Sequence, residues 1–435
     1  TVQQQGGRIV LMAGGGTAQV SGTVSAQGHG EGQAGGRIEV LGDRVALAPG
    51  ARLDASGAAG GGTVHVGGAW QGSGTTPRAG TTTVATGASI AADARGQGAG
   101  GEVVVWSDGR TAYAGSISAR GGAAGGDGGR VEVSGRGTLD FAGTVDAGAP
   151  RGAAGSLLLD PEVMTIGLAE ASLLGRVLRT GTSTTVSAGL DIHVDAAIDG
   201  RGRVAGGGLT LSAGRDIHVN EYIVTANGAV RLDATTGTVR IAPGRGVFTG
   251  NAPITVNVGG DLSAGPFVTS GALSLRSTGG SIDLDTPLDA TQGAVTVNAA
   301  QNVRINQPVL NLRNGSGFTA VAGGDVVVNA QVDGRGGAAG ATSGAVDLSA
   351  GGSVRFNASV VTQIADIRAR AIAGSVVTAA GQGLYSLSSA GTPGGTIDLS
   401  AGGDLTTGIA STTGALRLTS TGGAVTIGQG IDATV

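Results

Sequence analysis

Residues 117–133 read "ISARGGAAGGDGGRVEV", six glycines followed by an alternation of apolar and polar residues. Three readings compete for such a run: a phosphate cradle, a calcium loop, or a corner between strands. Its sister copies decide. "VSAQGHGEGQAGGRIEV" fills 24–40, "LDASGAAGGGTVHV" 53–66, "ADARGQGAGGEVVV" 92–105 and "VDAGAPRGAAGSLLL" 145–159. The glycine before each closing strand stands at Gly7, Gly36, Gly62, Gly101, Gly129 and Gly155, at spacings of 29, 26, 39, 28 and 26. A period of about 27 residues with strand signals marks a solenoid.

After each of these glycines the pattern is any residue, an aliphatic, any residue, an aliphatic. The first aliphatics are Ile9, Ile38, Val64, Val103, Val131 and Leu157; the second are Leu11, Val40, Val66, Val105, Val133 and Leu159. Residues two apart on a strand share a face, so these twelve predict two internal stacks, one residue per coil. The intervening positions, among them Arg37, Glu102 and Arg130, vary freely and are expected outside. A phosphate loop needs a helix after the glycines and usually a Lys. Here strands follow and the chain has no Lys. A calcium nonapeptide needs tandem Gly-Gly-x-Gly-x-Asp, yet only Asp127 lies in the run and the sister copies lack it. The run is therefore expected to be a corner, where glycine tolerates both positive φ and close backbone approach.

The second half repeats a shorter unit. "GAVRLDA", "GALSLRS", "GAVTVNA", "GAVDLSA", "GTIDLSA" and "GALRLTS" begin at Gly228, Gly271, Gly293, Gly344, Gly395 and Gly414. Nine intervals from Gly207 to Gly414 average 23 residues. Three short strands plus turns fit that length. The expectation is an all-β parallel β-helix, or β-solenoid, of about 16–17 coils. Coils of the longer period fill 1–159, an interruption follows at 160–190, and coils of the shorter period fill 191–435. Within the interruption, Ala169, Leu173, Leu174, Val177 and Leu178 recur at helical spacing and predict one short helix near 169–179, stopped by Gly181.

Composition agrees. Glycine is 88 of 435 residues, aromatics are 2% and hydrophobic residues 40%, which suits many short aliphatic strands rather than a conventional globular core. The formal charge is −4 with no basic run, which argues against nucleic acid as a partner. There is no Cys, so disulfides and thiolate metal sites are excluded. All 27 basic residues are Arg, which excludes lysine chemistry. No apolar run reaches the length of a membrane-spanning helix. Thr1-Val2-Gln3 leads directly into a repeat, so the chain reads as a segment of something longer.

The stretches "GGEVVVWSDGRTAYAGSISARGG" (100–122), "VEVSGRGTLDFAGTVDAGAP" (131–150) and "GSLLLDPEVMTIG" (155–167), with the helix, "DIHVDAAI" (191–198) and the later coils, resemble the filamentous haemagglutinin-like exoproteins of two-partner secretion systems. The resemblance implies a right-handed β-helix, exported through a dedicated outer-membrane transporter to the bacterial surface or medium as part of a longer parent chain. Family members include adhesins, toxin-delivery sticks and haem-acquisition proteins. The implied role is a structural and adhesive shaft in cell adhesion, biofilm or a matrix filament, with an unnamed receptor or glycan and self-association of rods as further partners. The alternatives are a specific binding module for a glycan, haem carrier or self-assembly partner, and a β-helical polysaccharide-degrading enzyme. The absence of Cys suits passage of an unfolded chain through a pore.

Candidate sites are sparse, and neither a catalytic set nor a cofactor site is expected. Asp191 and His193, with Asp216 and His218, occur in two "DIHV" strands 25 residues apart. Stacked on adjacent coils they would form either a solvated polar ladder or a metal site. Trp70 and Trp106 are candidate surface contacts. Trp106 falls on an outward position, where it meets a sugar or partner surface, lies over neighbouring outward residues, or is covered by the insert 67–83, "GGAWQGSGTTPRAGTTT", that explains the 39-residue spacing. That insert is the preferred place for a ligand contact. The acids do not converge in the sequence; Glu39 and Glu132 occupy positions equivalent to His65, as ladder residues would.

Overall fold

In each closing strand every second residue is Val, Ile or Leu, and these residues share one face. In the computed structural model that face lies in register on the strand of the coil before it. The structure describes all residues except 1, 6, 203–205, 290–292, 311, 313–315, 336–341, 390–391 and 433–435. It is a parallel β-solenoid of about 15 turns, close to the number that the glycine spacing suggests, with one short helix. Packing divides it into two compact units, Thr1–Gly214 with Tyr222–Ala229, and Arg215–Glu221 with Val230–Val435.

In the first unit the predicted columns form as read. Ile9, Ile38, Val64, Val103, Val131 and Leu157 are successive register partners. Ile38, Val64, Val103, Val131 and Leu157 are fully buried, as are Val40, Val66, Val105, Val133 and Leu159 in the second column. Ile9 and Leu11, in the first coil, are half-buried. The 39-residue spacing has a simple cause. One strand, Arg37–Leu47, runs unbroken in its coil. In the next coil its register partners are split between Thr63–Val66 and Thr81–Val84. Residues 67–80 are an insertion in the middle of a strand.

The glycines before these strands serve close approach rather than positive φ. A Cβ on Gly62, Gly101, Gly129 or Gly155 would overlap the carbonyl oxygen of Gly36, Gly62, Gly101 or Gly129 respectively, one coil back. All four of those oxygens also accept an amide, from Thr63, Glu102, Arg130 and Ser156, at 2.9–3.0 Å, so a side chain there would part the coils and break these bonds. None of these four glycines has positive φ; within the opening run that conformation belongs to Gly125 and Gly126.

The interruption is helical over Leu168–Arg179, inside the first unit. Glu170 accepts the Gly167 N–H at 3.1 Å at its start, and Gly181, with φ 87°, follows its end. Leu173, Leu174, Val177 and Leu178 are buried as expected. Ala169 is exposed, and Ala171 and Gly175 complete the buried face instead. Gly175 sits so close to the Asp199 carbonyl that a Cβ there would overlap it, which sets the helix hard against the strand Ile198–Asp199.

In the second unit each coil carries three short strands, and three aliphatic columns run inside it. One passes through Val230, Ile254, Leu273, Val295, Phe318, Val346, Ile367 and Ile397. A second passes through Leu262, Ile282, Val303, Val326, Val354, Val376 and Leu405. A third includes Leu288, Val309, Val332, Val360 and Leu384. Corner side chains tie each coil to the next. Asp261 Oδ1 accepts Ser281 N at 2.7 Å, Asn302 Oδ1 accepts Asp325 N at 2.8 Å, and Asp325 Oδ1 accepts Ser353 N at 2.7 Å. An amide ladder links Asn357, Asn329, Asn306 and Asp285 at 2.8 Å per step. Among the described residues no helix is long and apolar enough to cross a membrane.

Candidate functional site: a covered outer face

The outward positions of the first unit are not a neutral surface. Glu39, His65, Val104 and Glu132 are successive register partners, so the ladder expected from the sequence forms. Beside it run Arg37, Thr63, Glu102 and Arg130. Together they make a charge relay across four coils. Arg37 donates to Glu39 Oε1 at 2.8 Å and lies 3.3 Å from His65 Nδ1. His65 Nε2 is 2.7 Å from Glu102 Oε1, and Arg130 Nε donates to Glu102 Oε2 at 2.6 Å. Burial alone would raise the Glu39 carboxyl, but hydrogen bonds and charge from Arg8 and Arg37 hold it below its ordinary value. The hydrogen bond with His65, aided by Arg130 and opposed by burial, brings the Glu102 carboxyl down to about 2.

The insert folds back over this face. Arg130 places its guanidinium 4.6 Å from the centre of the Trp70 ring, a cation–π contact. Trp106 points outward as alternation requires, yet only 6% of it is exposed. Gly68 and Gly72 lie against its indole, and a Cβ on either would stand 2.6 Å from ring carbons. Of the sequence readings of Trp106, coverage by the insert is the one observed; Trp70 stays half-buried at the edge. Arg78 secures the far end of the insert, donating to Asp108 and to the Gly72 carbonyl at 3.1 Å each.

Beneath the insert lies Glu132, which the sequence marked only as an outward ladder residue. Glu132 is wholly buried. Its Oε2 accepts the Gln71 N–H at 2.7 Å, and its Oε1 makes no hydrogen bond; nor does Trp106 Nε1. Burial pushes the Glu132 carboxyl up to about 7, eased by the Gln71 N–H and reinforced by the charges of Asp160 and Glu102. A cavity of about 310 Å³, lined by Trp106, Arg136, Asp160, Pro161, Glu162 and Gly189, adjoins the indole. Two carboxyls driven apart in acidity are the raw material of acid–base chemistry. Here, however, Glu102 has both oxygens engaged and Glu132 has no exposed surface. The spacing of 39 residues announced an insert and coverage of Trp106 was one expectation for it; its contact with Glu132 was not announced.

The four "DIHV" residues divide between the units. Asp191 and His193 lie in the first, Asp216 and His218 in the second. Asp191 is buried and its carbonyl accepts Met164 N at 3.0 Å; His193 pairs in register with Thr165. Asp216 is a corner residue whose Oδ1 accepts Thr238 N at 2.8 Å, and His218 pairs in register with Arg240. Among the described residues no three His, Cys, Asp or Glu are grouped to hold a metal ion. No family model matches the sequence, and no curated protein is significantly similar to it.

Proposed function

We propose that this chain is a shaft segment of a large secreted bacterial surface protein, structural and adhesive in role. The observation that carries this reading is the stacking of three apolar columns, coil on coil, among the described residues of the second unit, with corner side chains spent on the next coil's backbone. Such a design holds distance, and it tolerates variation on every outward position. The resemblance to filamentous haemagglutinin-like exoproteins supports export by an outer-membrane transporter, and a Cys-free solenoid can fold coil by coil after such passage.

The test is phase against chemistry. Ile254 pairs with Leu273, so the 19 residues 254–272 make one coil. Deleting all 19 should leave the parent protein folded and adhesive, as should Ala at Asp191, His193, Asp216 or His218. Loss of adhesion on any one of those four changes, with the fold intact, would overturn the shaft reading.

The covered outer face favours a second reading, a specific binding module built on the insert 67–80. Glycan-array binding by this segment alone, lost on deletion of that insert, would select it.

A further inference from the structure

A lid over an unsatisfied carboxyl is a device whose closure depends on the proton. We propose that residues 67–80 form a pH-sensitive lid on the outer face of the strands Glu102–Ser107 and Arg130–Gly135, closed while Glu132 is neutral and released when Glu132 ionises.

Geometry makes the case. The two ends of the lid are tied to the coils by backbone hydrogen bonds, Gly67 N–H to the Val40 carbonyl and Asp108 N–H to the Ala79 carbonyl at 2.8 Å each, while its tip donates to Glu132 from the Gln71 N–H. Gln71 makes this last bond from the left-handed region, at φ 51°, which a non-glycine residue adopts reluctantly. Glu132 has a second oxygen with no partner and no access to water, and the indole N–H under the same lid is equally unmet. A neutral carboxyl tolerates that position; a carboxylate with a single donor does not. Opening would let water reach both groups.

The neighbours of Glu132 agree. From the flanking strands it feels Glu102, already paired with His65 and Arg130, and Asp160, both of which oppose its ionisation. On its own strand Arg130 is engaged by Glu102 and Trp70, and Arg136 lines the cavity beside Trp106. The Ser134 hydroxyl, two residues along, lies near enough to ease the charge in part. From the lid side the charged residue is Arg78, committed to Asp108. Of these cations, Arg130 and Arg78 are thus committed to other carboxylates.

The sign follows. The closed state raises the Glu132 carboxyl from 4.5 to about 7. The closed state is favoured in full below pH 4.5 and loses ground as pH rises toward 7, by roughly 300-fold in the closed-to-open ratio.

The chain contains two tryptophans, Trp70 and Trp106, and both belong to the lid contact. Intrinsic fluorescence with acrylamide quenching therefore reads the lid directly. Between pH 4 and pH 9 the intact chain should show a red shift and a several-fold rise in quenching, centred between about pH 4.5 and 7, with unchanged far-ultraviolet circular dichroism. Glu132→Gln, nearly isosteric, should stay closed throughout. Gln71→Pro, which removes the N–H, should be open throughout. A flat titration of the intact chain overturns the proposal, and so does a transition that survives in Glu132→Gln.

Discussion

His65 Nε2 stands 2.7 Å from one oxygen of Glu102 while Arg130 Nε holds the other at 2.6 Å, so a carboxylate on the outer face is clamped from two neighbouring coils. Strand register brings the three together, because Thr63, Glu102 and Arg130 are stacked partners and His65 lies two residues along from Thr63.

This clamp predicts an acid limb in stability. The Glu102 carboxyl is lowered from 4.5 to about 2, so its contribution is present above pH 4.5 and disappears as pH falls through 2. Its side chain is 19% exposed, so the value survives screening in part. Glu102→Gln should cost about 1–3 kcal/mol near pH 6. The gap between the two proteins in urea unfolding should close near pH 2; an equal gap at both pH values contradicts the assignment.

The glycine columns predict a sharp contrast between two Gly→Ala changes. A Cβ on Gly62 would meet the Gly36 carbonyl one coil back, whereas a Cβ on Gly14 meets nothing within 4 Å. Gly62→Ala should cost about 3 kcal/mol or more, and Gly14→Ala within about 0.5 kcal/mol of nothing. Thermal unfolding of the pair decides it; similar midpoints would show that the coils can yield.

The inner column sets a third expectation. Val103 is fully buried between Val64 and Val131. Val103→Ala should cost about 1–3 kcal/mol through the cavity left behind. An effect below about 0.5 kcal/mol would mean that neighbouring coils collapse into the gap.

Corner residues separate hydrogen bonding from charge. Asp325 accepts Ser353 N through Oδ1 at 2.7 Å, and Asn302 performs the same service for Asp325 N. Asp325→Ala should lose about 1 kcal/mol, while Asp325→Asn should keep most of it. If Asn is as damaging as Ala in chemical denaturation, the negative charge rather than the acceptor is what the corner needs.

How much of this was legible in the sequence depends on the range of the interaction. Alternation along a strand is a local property, and it identified the buried columns from Ile38 to Leu157 and the outward ladder of Glu39, His65 and Glu132. Helical spacing likewise placed the helix, although the buried face runs through Ala171 and Gly175 rather than Ala169, because close approach to Asp199 depends on a neighbour that the spacing does not contain. Glycine's frequency predicted corners. That its chief task before each strand is to admit the preceding coil's carbonyl is a fact about stacking. The tertiary structure alone decided the fate of the insert. Its length showed in one anomalous interval, but its path over Trp106, its single hydrogen bond to Glu132 and the resulting burial of a carboxyl arise from contacts between segments up to 61 residues apart. Local pattern assigns a side chain to the inside or the outside of a coil; only the folded chain determines whether the outside meets water.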